Sequence, residues 1–125
     1  MKLSLWCVFV AGLLPYISAG IAKWGFKQFD NNNPRAWLSQ QTGFRARANA
    51  AQQNSFEAFP FFAASVLIAY QLQAPTNLIN LLSVVFVASR VAYIYSYVAD
   101  KANLRSLCWL VGIVSVISIF VLSVI

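Results

Sequence analysis

Polar side chains cluster where the sequence enters its long apolar middle section. Arg47, Asn54 and Glu57 are separated by seven and three residues, so on a helix they lie along one face. Gln52 lies between them. A face that carries a guanidinium, an amide and a carboxylate cannot face lipid, because polar groups in a bilayer are costly unless they are partnered. The pattern predicts a helix with a buried polar stripe.

A second polar stripe lies further along the chain. Arg90, Tyr93 and Tyr97 follow one another at intervals of three and four residues, which places a guanidinium and two phenols on one helix face. Tyr95 falls on a different side. Ionisable residues within membrane spans usually face the bundle interior and mark functional sites. With Arg105, the two stripes would form a cationic, hydrogen-bonding pocket that suits a small anionic ligand.

The same residues also admit a structural interpretation. Glu57 could neutralise Arg90 or Arg47 as an ion pair. Tyr93, Tyr95 and Tyr97 are typical of an interfacial aromatic belt. Arg90, Lys101 and Arg105 are typical of topology signals whose charged ends reach the headgroups. Spacing alone leaves both interpretations open.

The composition indicates that membrane helices must position these groups. The 125 residues are 60% hydrophobic and 10% charged, whereas soluble domains carry about 25% charged residues. The chain is therefore expected to be a single membrane domain over residues 1–125. It contains no histidine, which excludes His-based triads, His-ligated haem and the usual zinc sites, and three acids cannot build a metal cluster. Cys7 and Cys108 lie in apolar runs and are interpreted as packing residues.

Four membrane spans are predicted, because a bilayer core needs roughly 20 helical residues. A polar break at Gln71 to Asn77, which contains Pro75, divides the uncharged middle section. The fold class is an all-α transmembrane four-helix bundle with helices at about 3–25, 44–70, 76–98 and 104–124. Alternatively, the first apolar run and its small residues could be a secretory signal.

The basic residues predict the orientation, because they are retained on the cytoplasmic side. The opposite side carries only Lys2, so both termini are expected outside and loops one and three in the cytoplasm. The net charge of +6 then reflects topology and anionic lipid contact, and no nucleic-acid partner is expected. The short loops favour a bacterial inner membrane. The basic residues of loop one and the third connection are Lys23, Lys27, Arg35, Arg45, Arg47, Arg90, Lys101 and Arg105.

Three segments together resemble the MAPEG family, the membrane-associated proteins of eicosanoid and glutathione metabolism. The family includes microsomal glutathione transferases and the leukotriene and prostaglandin synthases. Within the first segment, Asn54, Glu57 and Pro60 form an Asn-x-x-Glu-x-x-Pro element. The resemblance covers nearly the whole chain. The three segments are RANAAQQNSFEAFP from Arg47, RVAYIYSY from Arg90, and Leu104-Arg105-Ser106.

The resemblance implies a homotrimer that binds glutathione as co-substrate between neighbouring subunits at the cytoplasmic face. Asn54 and Glu57 would hold the glutathione backbone, with Glu57 accepting from its amino group and Gln52 assisting. Arg105 would match the arginine that stabilises the thiolate. The pocket would be completed by Arg90, Tyr93 and Tyr97, and also by Arg47.

The function implied is a glutathione-dependent transferase or peroxidase that acts on lipophilic electrophiles or lipid hydroperoxides. Many family members carry an arginine four residues before the Asn of the motif, where this chain has Ala50. Arg47, about one turn earlier, could replace it. Ala50 favours the alternative, a non-catalytic protein of the same fold that binds another anionic ligand or a protein partner. A channel or transporter is less favoured, because no helix is polar along its full length.

Overall fold

The computed structural model describes residues 1–26 and 28–125, and in this part of the chain all regular structure is helical. Lys27, one of the predicted loop-one charges, lies outside the described residues. A single 3-10 turn, Trp24–Phe26, follows the first helix. The α-helices are α1 Lys2–Ala22, α2 Pro34–Ser39, α3 Gly43–Gln71, α4 Thr76–Val98 and α5 Ala102–Val124.

Two features of the first connection differ from the sequence prediction. Helix α1 ends at Ala22 rather than near residue 25, because Gly25 adopts a φ of 77°, which a continuing helix does not allow. The short helix α2 was not predicted. It begins at Pro34, whose fixed φ suits a first helical position. Trp37 and Leu38 of α2 are buried against the ends of α1 and α3.

The two tight turns of the bundle close in the same way. After α4, the amide of Lys101 donates to Ser96 O at 2.8 Å and that of Asp100 to Tyr97 O at 3.1 Å. This Schellman pattern requires a left-handed residue, and Asp100 has a φ of 61°. Gln73, with a φ of 54°, occupies the same position after α3. These turns set the α3–α4 and α4–α5 hairpins that carry the polar stripes.

The bundle core is formed by apolar side chains from the four long helices. Phe62 of α3 is fully buried and stacks on Phe86 of α4, with ring centroids 4.0 Å apart. Cys7 lies in this cluster. Cys108 lies in a second cluster beside Tyr93, and both cysteines are free. The interpretation of both cysteines as packing residues is therefore confirmed.

The outer surface of the long helices is strongly apolar. Large side chains such as Trp6, Phe9, Leu110 and Ile117 are exposed, and a soluble monomer rarely exposes so much contiguous apolar surface. Three helices, α1, α4 and α5, are long and apolar enough to cross a membrane. Helix α3 is longer still, at 29 residues, but polar side chains occupy its first half.

Candidate functional site

A cavity of about 200 Å³ opens between α3, α4 and α5, and its lining divides into two parts. Asn54, Glu57 and Arg90 form one side, which we call the polar wall. The other side, the apolar wall, is formed mainly by rings and branched side chains. The residues of the apolar wall are Phe61, Phe86, Trp109, Ile113 and Val116, with Gly112 beside them.

Arg90 is the central residue of the polar wall. Its side chain is only 3% exposed, and its Nη2 donates to Asn54 Oδ1 at 2.7 Å and to Ser55 Oγ at 3.4 Å. A buried charge is costly unless it is paired and hydrogen-bonded. Both acceptors are neutral, so the guanidinium retains its full charge beside the cavity.

Glu57 lines the same cavity with an exposed side chain. Within residues 1–26 and 28–125, it forms no ion pair with Arg90 or Arg47. The structural interpretation of Glu57 as a neutralising partner is therefore wrong for this chain on its own. The carboxylate is free to accept hydrogen bonds from a ligand at the mouth of the cavity.

A run of cation–π and ring contacts extends from Arg90 to α5. The Arg90 Cζ lies 4.2 Å from the ring centroid of Tyr93, and the Tyr93 and Tyr97 rings meet edge to face at 5.7 Å. The Arg105 Cζ lies 4.4 Å from the Tyr97 ring. Such contacts orient the guanidinium groups without neutralising them. We call these four residues the Arg–Tyr ladder.

Tyr95 and Lys101 form a separate pair on the outer surface. Tyr95 is 60% exposed, and the Lys101 Nζ lies 5.3 Å from its ring centroid. The predicted separation of Tyr95 from the Tyr93–Tyr97 stripe therefore matches its position. An exposed tyrosine beside a lysine is typical of an interfacial position.

The structure leaves five residues of the predicted site outside the cavity lining: Tyr93, Tyr97 and Arg105 of the Arg–Tyr ladder, together with Arg47 and Gln52. The Arg47 Nε donates to the backbone oxygen of Val98 at 3.2 Å, which fixes α3 to the end of α4. The Gln52 Oε1 is buried and has no hydrogen-bond partner in the described part of the chain. A buried unpaired amide oxygen costs about 1–3 kcal/mol.

Sequence reasoning missed the apolar wall. Trp109, Gly112, Ile113 and Val116 recur at intervals of three, one and three residues, which is the spacing of one helix face. Trp109 also lies four residues after Arg105, so the face begins beside the Arg–Tyr ladder. This periodicity was present in the sequence, but the uniform apolarity of α5 concealed it.

The cavity can bind an anionic group on its polar wall and a nonpolar group on its apolar wall. Among the described residues, no three His, Cys, Asp or Glu side chains lie together as metal ligands would.

A model of the MAPEG family matches residues 3–125, which is essentially the whole chain. No curated protein matches the sequence. The family match and the three apolar helices make the chain an integral membrane protein.

Proposed function

Because the chain belongs to the MAPEG family, we propose that it is a glutathione-dependent transferase or peroxidase for lipophilic electrophiles or lipid hydroperoxides. The observation that carries the proposal is the buried guanidinium of Arg90, which is held by the neutral Asn54 at the wall of an open cavity. A cation held in this way attracts an anion. Glutathione carries two carboxylates and a thiol that ionises.

The charges of the polar wall complement those of glutathione. Arg90 and Asn54 supply donors for a glutathione carboxylate, and the exposed Glu57 accepts from its amino group. A volume of about 200 Å³ is below the roughly 300–1,000 Å³ typical of small-molecule sites. We therefore propose that a second copy completes the site, in a homotrimer.

Arg105 is proposed to stabilise the glutathione thiolate. A thiol with a pKa near 8.5 is only a few per cent ionised at neutral pH, and a nearby cation lowers that pKa by favouring the charged form. The contact of Arg105 with the Tyr97 ring leaves its charge available. A reduction of about two pKa units would raise the thiolate fraction more than tenfold.

The thiolate then attacks the second substrate. In a transfer reaction, the sulfur forms a bond to an electrophilic carbon while the leaving group departs with its electron pair. In a peroxidase reaction, the sulfur forms a bond to the terminal oxygen of the hydroperoxide, the O–O bond breaks, and the departing alkoxide takes a proton to become an alcohol. A second glutathione converts the resulting sulfenic acid to glutathione disulfide and water.

For the membrane arrangement we propose four spans, in which α3 crosses together with α1, α4 and α5. The polar first half of α3 is then shielded by its neighbours, because Asn54 and Ala48 bond to α4 and α1. The positive-inside rule favours external termini and cytoplasmic loops one and three. A bacterial inner membrane is the proposed location.

One observation favours a second candidate, a non-catalytic MAPEG-fold protein that binds another small anion or a protein. Ala50 supplies no cation, and the guanidinium of Arg47, its proposed replacement, donates to Val98 O.

The two candidates differ in turnover. If the protein is catalytic, adding the solubilised protein should raise the rate at which glutathione reacts with chlorodinitrobenzene or with cumene hydroperoxide above the uncatalysed rate. Glutathione binding without turnover on either acceptor, by a folded oligomer, would favour the second candidate.

A further inference from the structure

Two arginines near the start of α3 bond to the ends of the neighbouring helices. Arg45 donates from Nη1 to Ala22 O, at the end of α1, at 2.9 Å, and from Nη2 to Trp24 O at 2.6 Å. Arg47 donates from Nε to Val98 O, at the end of α4. A cation is disfavoured near the start of its own helix and favoured near the end of another, because of the helix dipole. The two arginines therefore stabilise the ends of α1 and α4.

The bond from Arg47 completes the end of α4. The last four carbonyl oxygens of a helix lack partners within that helix. In α4 they belong to residues 95–98, and the first three accept from the backbone amides of residues 99–101. The fourth, Val98 O, accepts from Arg47. A side chain of α3 thus adds the one bond that the Schellman turn leaves open.

This turn leads directly to Arg105. The amide of Lys101 donates to Ser96 O at 2.8 Å, and Lys101 O accepts from the amide of Arg105 at 2.9 Å. The last turn of α4 and the first turn of α5 are therefore one hydrogen-bonded unit. The Arg105 guanidinium also lies over the ring of Tyr97, which directly precedes the residue that Arg47 holds. A shift in the end of α4 would consequently move the Arg105 guanidinium.

The polar wall of the cavity does not depend on this contact. Arg90 lies about two helical turns before Val98, and its Nη2 is held by Asn54 of α3. Loosening the end of α4 should therefore disturb Arg105 much more than Arg90.

We propose that Arg47 is a positioning residue: by holding Val98 O, it fixes the turn that places the Arg105 guanidinium against the glutathione thiolate. The inference rests on the proposed glutathione-dependent function, and it gives Arg47 a role other than contact with glutathione. This role requires a hydrogen-bond donor at the position of Nε. A role as a glutathione ligand would instead require the positive charge, which attracts a carboxylate.

Two substitutions separate the donor from the charge. In Arg47→Gln, the amide nitrogen lies the same number of bonds from the Cα as the arginine Nε does, so a donor is kept while the charge is lost. In Arg47→Lys, the charge is kept, but the ammonium group lies one bond further along the side chain. Arg47→Ala removes both.

The kinetic test uses glutathione and chlorodinitrobenzene. Arg47→Ala should lower kcat at saturating glutathione at least about tenfold, since a displacement of about 1 Å can cost a hundredfold in rate. The glutathione Kd should stay within about twofold, because the polar wall is intact. Arg47→Gln should return kcat to within about fivefold of the unchanged protein, and Arg47→Lys should not. A Kd that Arg47→Lys preserves and Arg47→Gln does not would overturn the proposal.

The matched control is Arg45→Ala, which removes the equivalent bonds at the end of α1. Hydrogen–deuterium exchange compares the two variants without glutathione. Arg47→Ala should speed exchange at the amides of Asp100 and Lys101 at least about threefold and leave that of Lys23 unchanged. Arg45→Ala should do the reverse, and its kcat should stay within about twofold of the unchanged protein.

The exchange measurement separates the failure of this inference from that of the proposed function. If the unchanged protein gave no glutathione turnover, the proposed function and the catalytic part of the inference would be overturned, whereas faster exchange in Arg47→Ala would still support Arg47 as the residue that fixes the turn. Unchanged exchange at the turn, or equal kcat losses in Arg47→Ala and Arg45→Ala, would overturn the inference. If Arg47→Ala does not fold, the comparison of Arg47→Gln with Arg47→Lys tests it.

Discussion

The two halves of the bundle differ in which polar groups bond across helices. In the site half, which holds the start of α3 and the end of α4, polar groups bond across helices: Arg90 to Asn54, Arg47 to Val98 O and Ser18 to Ala48 O. In the opposite half the cross-helix bonds join the neutral residues Ser4 and Asn80. Buried serines of both halves bond within their own helix, as Ser55 and Ser96 do in the site half.

The serines of the opposite half donate one turn back along the chain. Ser83 donates to Ile79 O at 2.7 Å and Ser123 to Ile119 O at 2.6 Å. Their neighbours are apolar and close-packed around Phe62. A hydrogen bond between side chains in this half does join two helices: Ser4 Oγ of α1 donates to Asn80 Oδ1 of α4 at 2.6 Å. The halves therefore differ in charge: the arginines that bond across helices lie in the site half, whereas the opposite half packs around apolar side chains.

The largest effect is expected in the opposite half, from Phe62→Ala. Phe62 is fully buried and stacked on Phe86, and removing a buried phenyl ring costs about 3–5 kcal/mol. The free energy of unfolding in a detergent–denaturant titration should fall by that amount, while the folded fraction still binds glutathione. A change below about 1 kcal/mol would show that packing here does not carry the stability.

The next largest effect is expected at Asn54. Asn54→Ala removes the closer of the two acceptors of the buried Arg90 Nη2, and a hydrogen bond to a charged group contributes about 1.5–3 kcal/mol. Both stability and glutathione affinity should fall, with the Kd rising at least about tenfold.

The control for Asn54→Ala is the equivalent change in the other half, Asn80→Ala. It also removes an amide that bonds across helices, so stability should fall by about 1 kcal/mol without a change in glutathione affinity. If both variants lost affinity equally, the division of the bundle into two halves would be wrong.

A smaller effect is expected from Arg105→Ala. Removing the cation should return the pKa of bound glutathione toward its normal value near 8.5. The thiolate absorbance and the rate should therefore reach half-maximum at a higher pH, with more than about a tenfold loss at neutral pH. Arg105→Lys should restore part of the thiolate, because it keeps a positive charge. Loss of folding in Arg105→Ala would instead identify a structural arginine.

The smallest effects are expected at the two tight turns. Asp100 and Gln73 hold left-handed φ angles of 61° and 54°, which glycine adopts without the penalty of about 1 kcal/mol. Asp100→Gly and Gln73→Gly should each raise the unfolding midpoint slightly. Neither should alter glutathione affinity, and a loss of stability in either would contradict the assigned turn geometry.

The sequence predicted which residues share a helix face, but not what each face contacts. The intervals of three and four residues placed Arg90, Tyr93 and Tyr97 together, and the Arg–Tyr ladder has that arrangement. Spacing is a property of one helix, so it could be read directly. The partner of Arg47 is a backbone oxygen at the end of α4, and this depends on how two helices are rotated against each other.

The apolar wall and α2 were missed for a related reason. In a chain with this much apolar surface, residue type does not distinguish the lining of a cavity from lipid-facing surface. Trp109, which lines the cavity although it is 46% exposed, and Ile113 were therefore not singled out. Helix α2 is only six residues long, and short helices are stabilised mainly by tertiary packing. Trp37 and Leu38 supply that packing, which no local pattern reveals.

The most direct test of the central claim is calorimetric titration of glutathione into the detergent-solubilised oligomer. The unchanged protein should bind saturably. Glu57→Gln should weaken binding at least about tenfold, because a neutral amide accepts less strongly from the glutathione amino group, while Asn80→Ala should bind as the unchanged protein does. Absence of saturable binding by a folded oligomer, or equal binding by Glu57→Gln, would contradict the assignment of this cavity as a glutathione site.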